Sequence, residues 1–197
     1  MQSLVATHGL YTAVFYIALI VWGINQLYAN RYYYAAPGLE GRNRRSYWFS
    51  AVMITAGIIG AILCMRYVPA TTFPSVQPVI FWIGIALMAM GLLLRWYVIR
   101  VLARYFAPDK SVRPDREVIE NGPFRQIRHP GYTGVLITVL GFGLATTNWL
   151  GLLVVLVFSL VGYAYRVRVE EQVLCEALGD TYREYMRRTR RFIPYLW

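Results

Sequence analysis

The sequence predicts an all-α polytopic membrane protein with about five transmembrane helices, a C-terminal helical hairpin and an amphipathic tail helix. Of its 197 residues, 57% are hydrophobic, 16% aromatic and only 15% charged, which is far from the composition of a soluble domain. Five apolar runs approach the ~20 residues that a helix needs to cross a membrane. Arginines cluster between these runs and not along one continuous face, a pattern typical of membrane-flanking charge.

Three long apolar runs predict the first three helices. They cover residues 9–28, 48–67 and 78–103, and the third run holds Arg95 and Arg100 near its end. We expect both arginines to extend their charged heads to the membrane surface. No basic segment precedes the first run, so we expect this run to remain as an anchor and not to be a cleaved signal peptide.

Two shorter apolar runs predict the fourth and fifth helices. They cover residues 132–147 and 149–165, and only the polar turn around Thr146, Thr147 and Asn148 separates them. A connection this short joins antiparallel neighbours. The two runs are therefore expected to form a tight helical hairpin.

The positions of the basic residues predict the orientation of the chain. Apart from Arg66 at the end of the second run, the basic residues near the run ends fall after the first, third and fifth runs, and include Arg31, Arg42, Arg44, Arg45, Arg104, Lys110, Arg113, Arg116, Arg125, Arg128, Arg166 and Arg168. Arginine and lysine near helix ends stay on the cytoplasmic side. We therefore expect the N-terminus outside and the C-terminus in the cytosol, together with all ten acidic residues.

Composition also argues against some functional classes. The formal net charge of +10 would first suggest a nucleic-acid partner, but the arginines flank membrane runs and do not form one basic face. Cys64 and Cys175 lack paired spacing, so neither a disulfide framework nor a metal site is indicated.

A polar region follows the fifth run and predicts an amphipathic helix. Between residues 170 and 188, apolar residues recur at helical spacing with charges between them, and Gly179 is a candidate break. This helix is expected to lie on the membrane surface or to fold back against the hairpin.

The densest group of candidate functional residues covers residues 117–132 and leads into the fourth helix. Pro130 suits the first helical position, and His129 is then expected to cap the helix. A helix N-terminus can hold a carboxylate, such as that of a cofactor with an amino-acid moiety. The alternative is ordinary membrane-interface chemistry, with Arg125 and Arg128 binding lipid phosphates.

A second group lies at the end of the fifth helix. Arg166 and Glu170 are four residues apart and can pair on one helix face, whereas Glu170 and Glu171 point about 100° apart and should have separate roles. The alternative is a solvated helix end with extended arginines. Because the hairpin brings both groups to the same end, we expect them to enclose one cavity.

The motifs together resemble a known family. The string Gly122-Pro123-Phe124-Arg125-x-x-Arg128-His129-Pro130-x-Tyr132, the pair Glu170-Glu171, the string Leu178-Gly179-Asp180-x-Tyr182-x-x-Tyr185 and the closing Arg191-x-x-Pro194 occur in this order. They are similar to isoprenylcysteine carboxyl methyltransferases and the related phospholipid N-methyltransferases. The resemblance covers roughly residues 100–197.

The resemblance implies a membrane methyltransferase that uses S-adenosyl-L-methionine and a lipid-like or prenylated acceptor. Residues 1–77 would be a two-helix membrane anchor, and residues 78–197 the methyltransferase core, with a cofactor pocket closed by the loop 104–131 and the tail 166–197. The implied cofactor-binding residues are Arg116, Glu117, Val118, Ile119, Phe124, His129, Pro130, Gly131, Tyr132 and Glu170.

We assign catalytic roles to Arg166 and Glu171. The resemblance implies that Arg166 faces the acceptor, where it could orient a carboxylate, which needs no general base because it is already ionised. An amine acceptor must lose a proton, which would give Glu171 or His129 the role of base. The leading hypothesis is carboxyl methylation of an isoprenylated cysteine. The alternatives are a phospholipid (ethanolamine) N-methyltransferase, an NADPH-dependent membrane reductase and a non-catalytic membrane scaffold or transport component.

Overall fold

A computed structural model describes residues 3–33, 42–73, 75–105, 118 and 120–192. Within these residues the secondary structure is helical, apart from two isolated bridges. The α-helices are α1 (Leu4–Thr7), α2 (Gly9–Tyr33), α3 (Arg42–Tyr67), α4 (Gln77–Tyr105), α5 (Pro130–Ala145), α6 (Trp149–Leu178) and α7 (Asp180–Arg188). The predicted all-α class is confirmed.

Four helices are long and apolar enough to cross a membrane. Their candidate spans are Gly9–Ala29, Arg44–Tyr67, Gln77–Leu102 and Trp149–Leu178. These correspond to four of the five predicted spans, so the protein is a polytopic membrane protein.

The remaining predicted span, α5, has only 16 residues. At ~1.5 Å per residue it is about 24 Å long, shorter than the ~30 Å hydrocarbon core. Most of its residues are buried among the other helices. Protein neighbours, and not lipid, therefore surround most of this helix.

The fifth predicted run extends well beyond its expected end. We expected it to stop at residue 165, but α6 continues through the polar residues that follow to Leu178. The helix ends at Gly179, which has a φ of 59° that favours glycine. The predicted break at Gly179 is confirmed, although the first half of the expected tail helix belongs to α6 and only the second half forms α7.

Helix α5 lies between α4 and α6, while α3 packs along α6 and α2 packs against α4. The closest approach is between α4 and α5. A Cβ atom added at Gly141 would lie 2.5 Å from the carbonyl oxygen of Gly84 and 2.6 Å from the backbone nitrogen of Met88. Glycine is therefore what allows these two backbones to touch.

The hairpin turn between α5 and α6 is held by polar contacts. Thr147 has a φ of 53°, and Asn148 Oδ1 accepts a 2.8 Å hydrogen bond from the Gly151 N–H at the start of α6. Asn148 Nδ2 donates to the Val68 carbonyl at 3.1 Å, and Ser3 Oγ donates to the Thr146 carbonyl at 3.0 Å. The tight hairpin is as predicted.

The predicted anchor and the predicted core share one hydrophobic interior. Phe15 and Trp22 of α2 contact Phe142 of α5, and the ring centroids are 5.4 Å and 5.7 Å apart. Ala61 of α3 belongs to the same buried cluster as Val155 of α6. The boundary at residue 77 stays a prediction.

Candidate active site

The start of α5 and the end of α6 meet at the end of the bundle opposite the hairpin turn. Arg128 Nε donates to Glu171 Oε1 at 2.9 Å, just before α5 begins. Within the first turn of the helix, the Tyr132 hydroxyl donates to Glu170 Oε2 at 2.5 Å. These two contacts confirm that the two groups of candidate residues are neighbours in space.

Tyr132 lies at the centre of a buried polar chain. Its hydroxyl accepts a 2.6 Å hydrogen bond from Arg166 Nε and donates to Glu170. Arg166 and Glu170 were expected to pair through their spacing on one helix face. The phenol of α5 instead connects the two side chains of α6.

Arg166 is a deeply buried cation with an unused donor. Its side chain is 6% exposed, and Nη1 has no hydrogen-bond partner among the described residues. The guanidinium carbon lies 5.2 Å from the ring centroid of Tyr47 and 5.6 Å from that of Tyr132. A buried N–H without a partner costs free energy, so this donor suits an anionic ligand.

Glu171 connects three parts of the chain. Its carboxylate accepts from Arg128 before α5, and from Arg191 Nη2 after α7 at 2.9 Å. His129 Nε2 lies 3.4 Å from the same carboxylate. Since two guanidinium groups occupy both oxygens, the geometry favours a positioning role for Glu171 over the role of general base.

His129 precedes α5 but does not cap it with its side chain. It occupies the N-cap position, as predicted, and its carbonyl accepts from the Tyr132 and Thr133 N–H groups, but its side chain makes no capping bond. Its imidazole Nε2 lies 3.4 Å from Glu171 Oε1, and the ring stacks on the Tyr132 ring with 5.5 Å between centroids. Pro130 and Gly131 form the first buried turn of α5, as expected for proline.

The chain after α7 runs beside the chain before α5. The backbone N–H of Arg128 donates to the Arg190 carbonyl at 2.7 Å, and that of His129 donates to the Arg191 carbonyl at 3.0 Å. Thr133 Oγ1 donates to the Phe192 carbonyl at 2.8 Å. The tail segment, residues 189–192, therefore covers the N-terminal start of α5.

Helix α7 contributes two buried tyrosines, Tyr182 and Tyr185, to this end of the bundle. Tyr185 Oη donates to the Phe124 carbonyl at 2.7 Å, so α7 holds the backbone of the short turn Gly122–Arg125. Burial raises the pKa of Tyr185 to about 12, and burial followed by the charges of Glu171 and Glu170 raises the pKa of Tyr182. Both hydroxyls are therefore neutral and able to donate at physiological pH.

The described residues include most of the predicted cofactor-binding set. Phe124, His129, Pro130, Gly131, Tyr132 and Glu170 all lie at this end of the bundle. Val118 is partly buried, and Arg116, Glu117 and Ile119 lie outside the described residues.

Several residues of the site were assigned no role from the sequence. Arg191 appeared there only as the start of the closing motif, although it holds the tail to Glu171. Tyr163 of α6 lies 5.0 Å from Tyr132 between ring centroids. Tyr47 comes from α3, inside the predicted anchor, and its sequence surroundings give no signal of a site. Only the packing of α3 against α6 brings it to Arg166.

Comparison with known proteins gives a consistent set of relatives. Residues 79–181, slightly more than half of the chain, match the family described as phospholipid methyltransferase. The chain is 27% identical to the uncharacterized protein YpbQ of Bacillus subtilis over 101 residues, which cover 51% of this chain and 60% of YpbQ.

Two further relatives carry enzyme names. A probable protein-S-isoprenylcysteine O-methyltransferase of Oryza sativa subsp. indica is 26% identical over 134 residues, or 64% of this chain and 69% of the rice protein. The protein-S-isoprenylcysteine O-methyltransferase of Schizosaccharomyces pombe is 31% identical over 85 residues, or 42% of this chain and 35% of the yeast protein. The matches therefore span between about one third and two thirds of these relatives.

Proposed function

The chain belongs to the phospholipid methyltransferase family, and from this membership we propose that it is a membrane methyltransferase dependent on S-adenosyl-L-methionine. The proposed acceptor is the carboxylate of an isoprenylated cysteine or of a similar lipid-like molecule. The observation that carries this choice is Arg166, whose buried Nη1 has no hydrogen-bond partner among the described residues. We also propose that the site faces the cytosol and that the acceptor enters sideways between helices.

The residues of the site fit the chemical groups of the cofactor. The stacked rings of His129 and Tyr132 suit an adenine, because aromatic faces favour one another. The Glu170 carboxylate suits hydroxyl or ammonium donors. The first turn of α5 at Pro130 carries partial positive charge, which suits the cofactor carboxylate.

The proposed chemistry needs alignment more than acid–base assistance. When bound, the cofactor supplies a methyl group activated by its positively charged sulfur. His129, Tyr132 and Glu170 would hold this cofactor, which would supply its methyl group to an oxygen of the acceptor carboxylate; no proton has to be removed from a carboxylate that is already ionised. Arg166 would orient the carboxylate through charge-assisted hydrogen bonds.

Tyr132 would hold Arg166 in place for this task. Its hydroxyl accepts a hydrogen bond from Arg166 Nε and donates to Glu170. The guanidinium is therefore held at Nε, while Nη1 has no partner among the described residues. Glu171 would act indirectly, by holding Arg128 and Arg191 in position around the cofactor.

The second candidate is N-methylation of a phospholipid amine, which the description of the matched family favours. An ammonium acceptor must lose a proton before it can attack. The Glu171 oxygens are already occupied by arginines, which makes this carboxylate a weak choice of base. The carboxylate acceptor therefore remains the preferred proposal.

The test is methyl transfer by the purified protein in lipid nanodiscs. Methyl-labelled S-adenosylmethionine is supplied with N-acetyl-S-farnesylcysteine or with phosphatidylethanolamine. We expect labelled farnesylcysteine ester. Label confined to the phospholipid would contradict the preferred acceptor, and binding of NADPH without binding of S-adenosylhomocysteine would contradict methyl transfer itself.

Two variants separate the proposed roles of the cofactor and acceptor residues. Arg166→Met should raise the KM for farnesylcysteine about tenfold or more, because a charge-assisted hydrogen bond is lost. Glu170→Gln should instead weaken the binding of S-adenosylhomocysteine, measured by calorimetry. Glu176→Gln is the matched control, since Glu176 lies on the same helix in an exposed pair with Arg42 and should change neither value. Equal cofactor affinity in wild type and Glu170→Gln would refute the cofactor assignment.

A further inference from the structure

A second buried arginine lies on the other side of α5 from the candidate active site. Arg95 of α4 is only 7% exposed, and a Cβ atom added at Gly134 of α5 would lie 3.2 Å from the Arg95 Cβ. We expected this side chain to extend to the membrane surface, which is wrong. Its guanidinium turns into the bundle, where Nη1 donates to Gln26 Oε1 of α2.

The charge of Arg95 is not neutralised by the described part of the chain. The ion pairs there involve other cations, and none joins Arg95 to an acidic side chain. A buried charge without a counterion is costly, and Gln26 offers only a neutral oxygen. Charged residues within membrane segments usually mark a functional site.

Other polar atoms without partners lie on α2 within one turn of Gln26. Asn25 Oδ1 and Trp22 Nε1 are both buried and have no hydrogen-bond partner among the described residues. Residues three and four apart share a helix face, so Trp22, Asn25 and Gln26 present these groups in one region. The region therefore combines a cation, a neutral donor and a neutral acceptor.

The position of this region along the helix axes indicates which kind of anion can reach it. Gln26 lies 17 residues after Gly9 at the start of α2, and Arg95 lies 18 residues after Gln77 at the start of α4. At ~1.5 Å per residue both positions are about 26 Å from those helix starts, close to the far surface of a ~30 Å hydrocarbon core. Phospholipid phosphates lie next to that surface.

We propose that Arg95, Asn25 and Trp22 form a binding site for the head group of an anionic phospholipid, beside Gln26, which the lipid does not contact. The phosphate would accept from Arg95 and from Trp22 Nε1, and a head-group hydroxyl would donate to Asn25 Oδ1. Net negative charge is required because no acidic side chain among the described residues pairs with Arg95. The site lies across α5 from Arg166 and does not depend on the proposed methyl transfer.

The test is lipid retention measured by native mass spectrometry on the full chain, with phosphatidylglycerol or phosphatidylcholine added to the same detergent. We expect wild type to retain one phosphatidylglycerol with about tenfold higher affinity than Arg95→Met. Arg100→Met is the control, because Arg100 is exposed on the same helix with its guanidinium over the Trp96 ring, and it should retain the lipid as wild type does. Equal retention by wild type and Arg95→Met, or equal affinity for the two lipids, would overturn the proposal.

A second variant distinguishes binding from a purely structural role of Arg95. Gln26→Met removes the neutral partner and leaves the guanidinium, so it should still retain phosphatidylglycerol and still gain thermal stability from it. If Arg95 only supports the packing of α2 on α4, Gln26→Met will lose the lipid-dependent gain as Arg95→Met does, and the proposal is overturned. Displacement of the bound lipid by N-acetyl-S-farnesylcysteine would assign Arg95 to the acceptor site instead and would also overturn it.

Discussion

At the scale of single residues, Tyr132 connects the groups for which we propose different roles. Its hydroxyl joins Arg166, proposed for the acceptor, to Glu170, proposed for the cofactor. A hydroxyl can accept one hydrogen bond and donate another at the same time, which neither charged side chain can do. The arrangement therefore gives the two functions a shared support.

We predict that Tyr132→Phe lowers kcat/KM for methyl transfer by about tenfold to a hundredfold, because two charge-assisted hydrogen bonds are lost and Arg166 Nε is left without its partner. The fall should appear in both the acceptor KM and the affinity for S-adenosylhomocysteine. Tyr165→Phe is the control, since Tyr165 is exposed on α6 and contacts Phe49. A loss in only one of the two values would show that Tyr132 does not couple them.

At the scale of elements, backbone hydrogen bonds and one ion pair with Glu171 hold the tail segment to the start of α5 and to α6. The segment contributes backbone hydrogen bonds to the chain before α5, and Arg191 adds a contact to the buried carboxylate. The Arg191–Glu171 pair is the ion pair among these contacts, so its loss should make the tail open more often.

We predict that Arg191→Met speeds amide hydrogen exchange of Arg190, whose N–H donates to the Gln126 carbonyl at 3.0 Å, by about tenfold. Cofactor affinity should fall with it, while the exchange of α4 amides stays unchanged. Arg183→Met provides the comparison, because the exposed Arg183–Asp180 pair should contribute little. Unchanged protection of Arg190 would exclude this role for Arg191.

The contact between α4 and α5 gives a second prediction at this scale. Gly141→Ala places a methyl group against the backbone of α4 and should destabilise the protein by about 1–3 kcal/mol, measured by thermal unfolding in detergent. Gly23→Ala is the matched control in α2, where an added Cβ meets no atom within 4 Å, so the unfolding temperature should not fall. Similar effects of the two substitutions would argue against close packing of α4 and α5.

The elements also show which features the sequence could predict. The hairpin, the break at Gly179 and the meeting of the two groups of candidate residues depend on local signals, namely a polar turn, a glycine and helical spacing. The length of α6 was not predicted, because an apolar run shows where the membrane-spanning part of a helix ends and not where the helix itself ends. The burial of Arg95, the bridging by Tyr132 and the approach of Tyr47 depend on packing between distant segments, for which the sequence carries no periodic signal.

At the scale of the whole molecule, the two ends of the bundle differ in chemistry. One end has the compact turn around Asn148, with Ser3 against it, and the other has the charged site. A bundle of this kind is expected to keep its basic end in the cytosol. The predicted orientation therefore applies to the molecule as a unit.

We predict that a membrane-impermeant maleimide labels Ser75→Cys, near the turn, in intact cells, and labels Asp180→Cys, at the site end, only after permeabilisation. Both positions are exposed, and Cys64 and Cys175 are replaced first. The reversed pattern would show the opposite orientation.

The tail segment also has a consequence for synthesis on the ribosome. Residues 189–192 emerge after the four candidate spanning helices of the described residues have been made, yet they cover the start of α5. A nascent chain that has already inserted α2 through α6 would still lack this cover. The protein should therefore acquire its proposed activity only after these four helices have been inserted, which would prevent a half-made chain from consuming methyl donor.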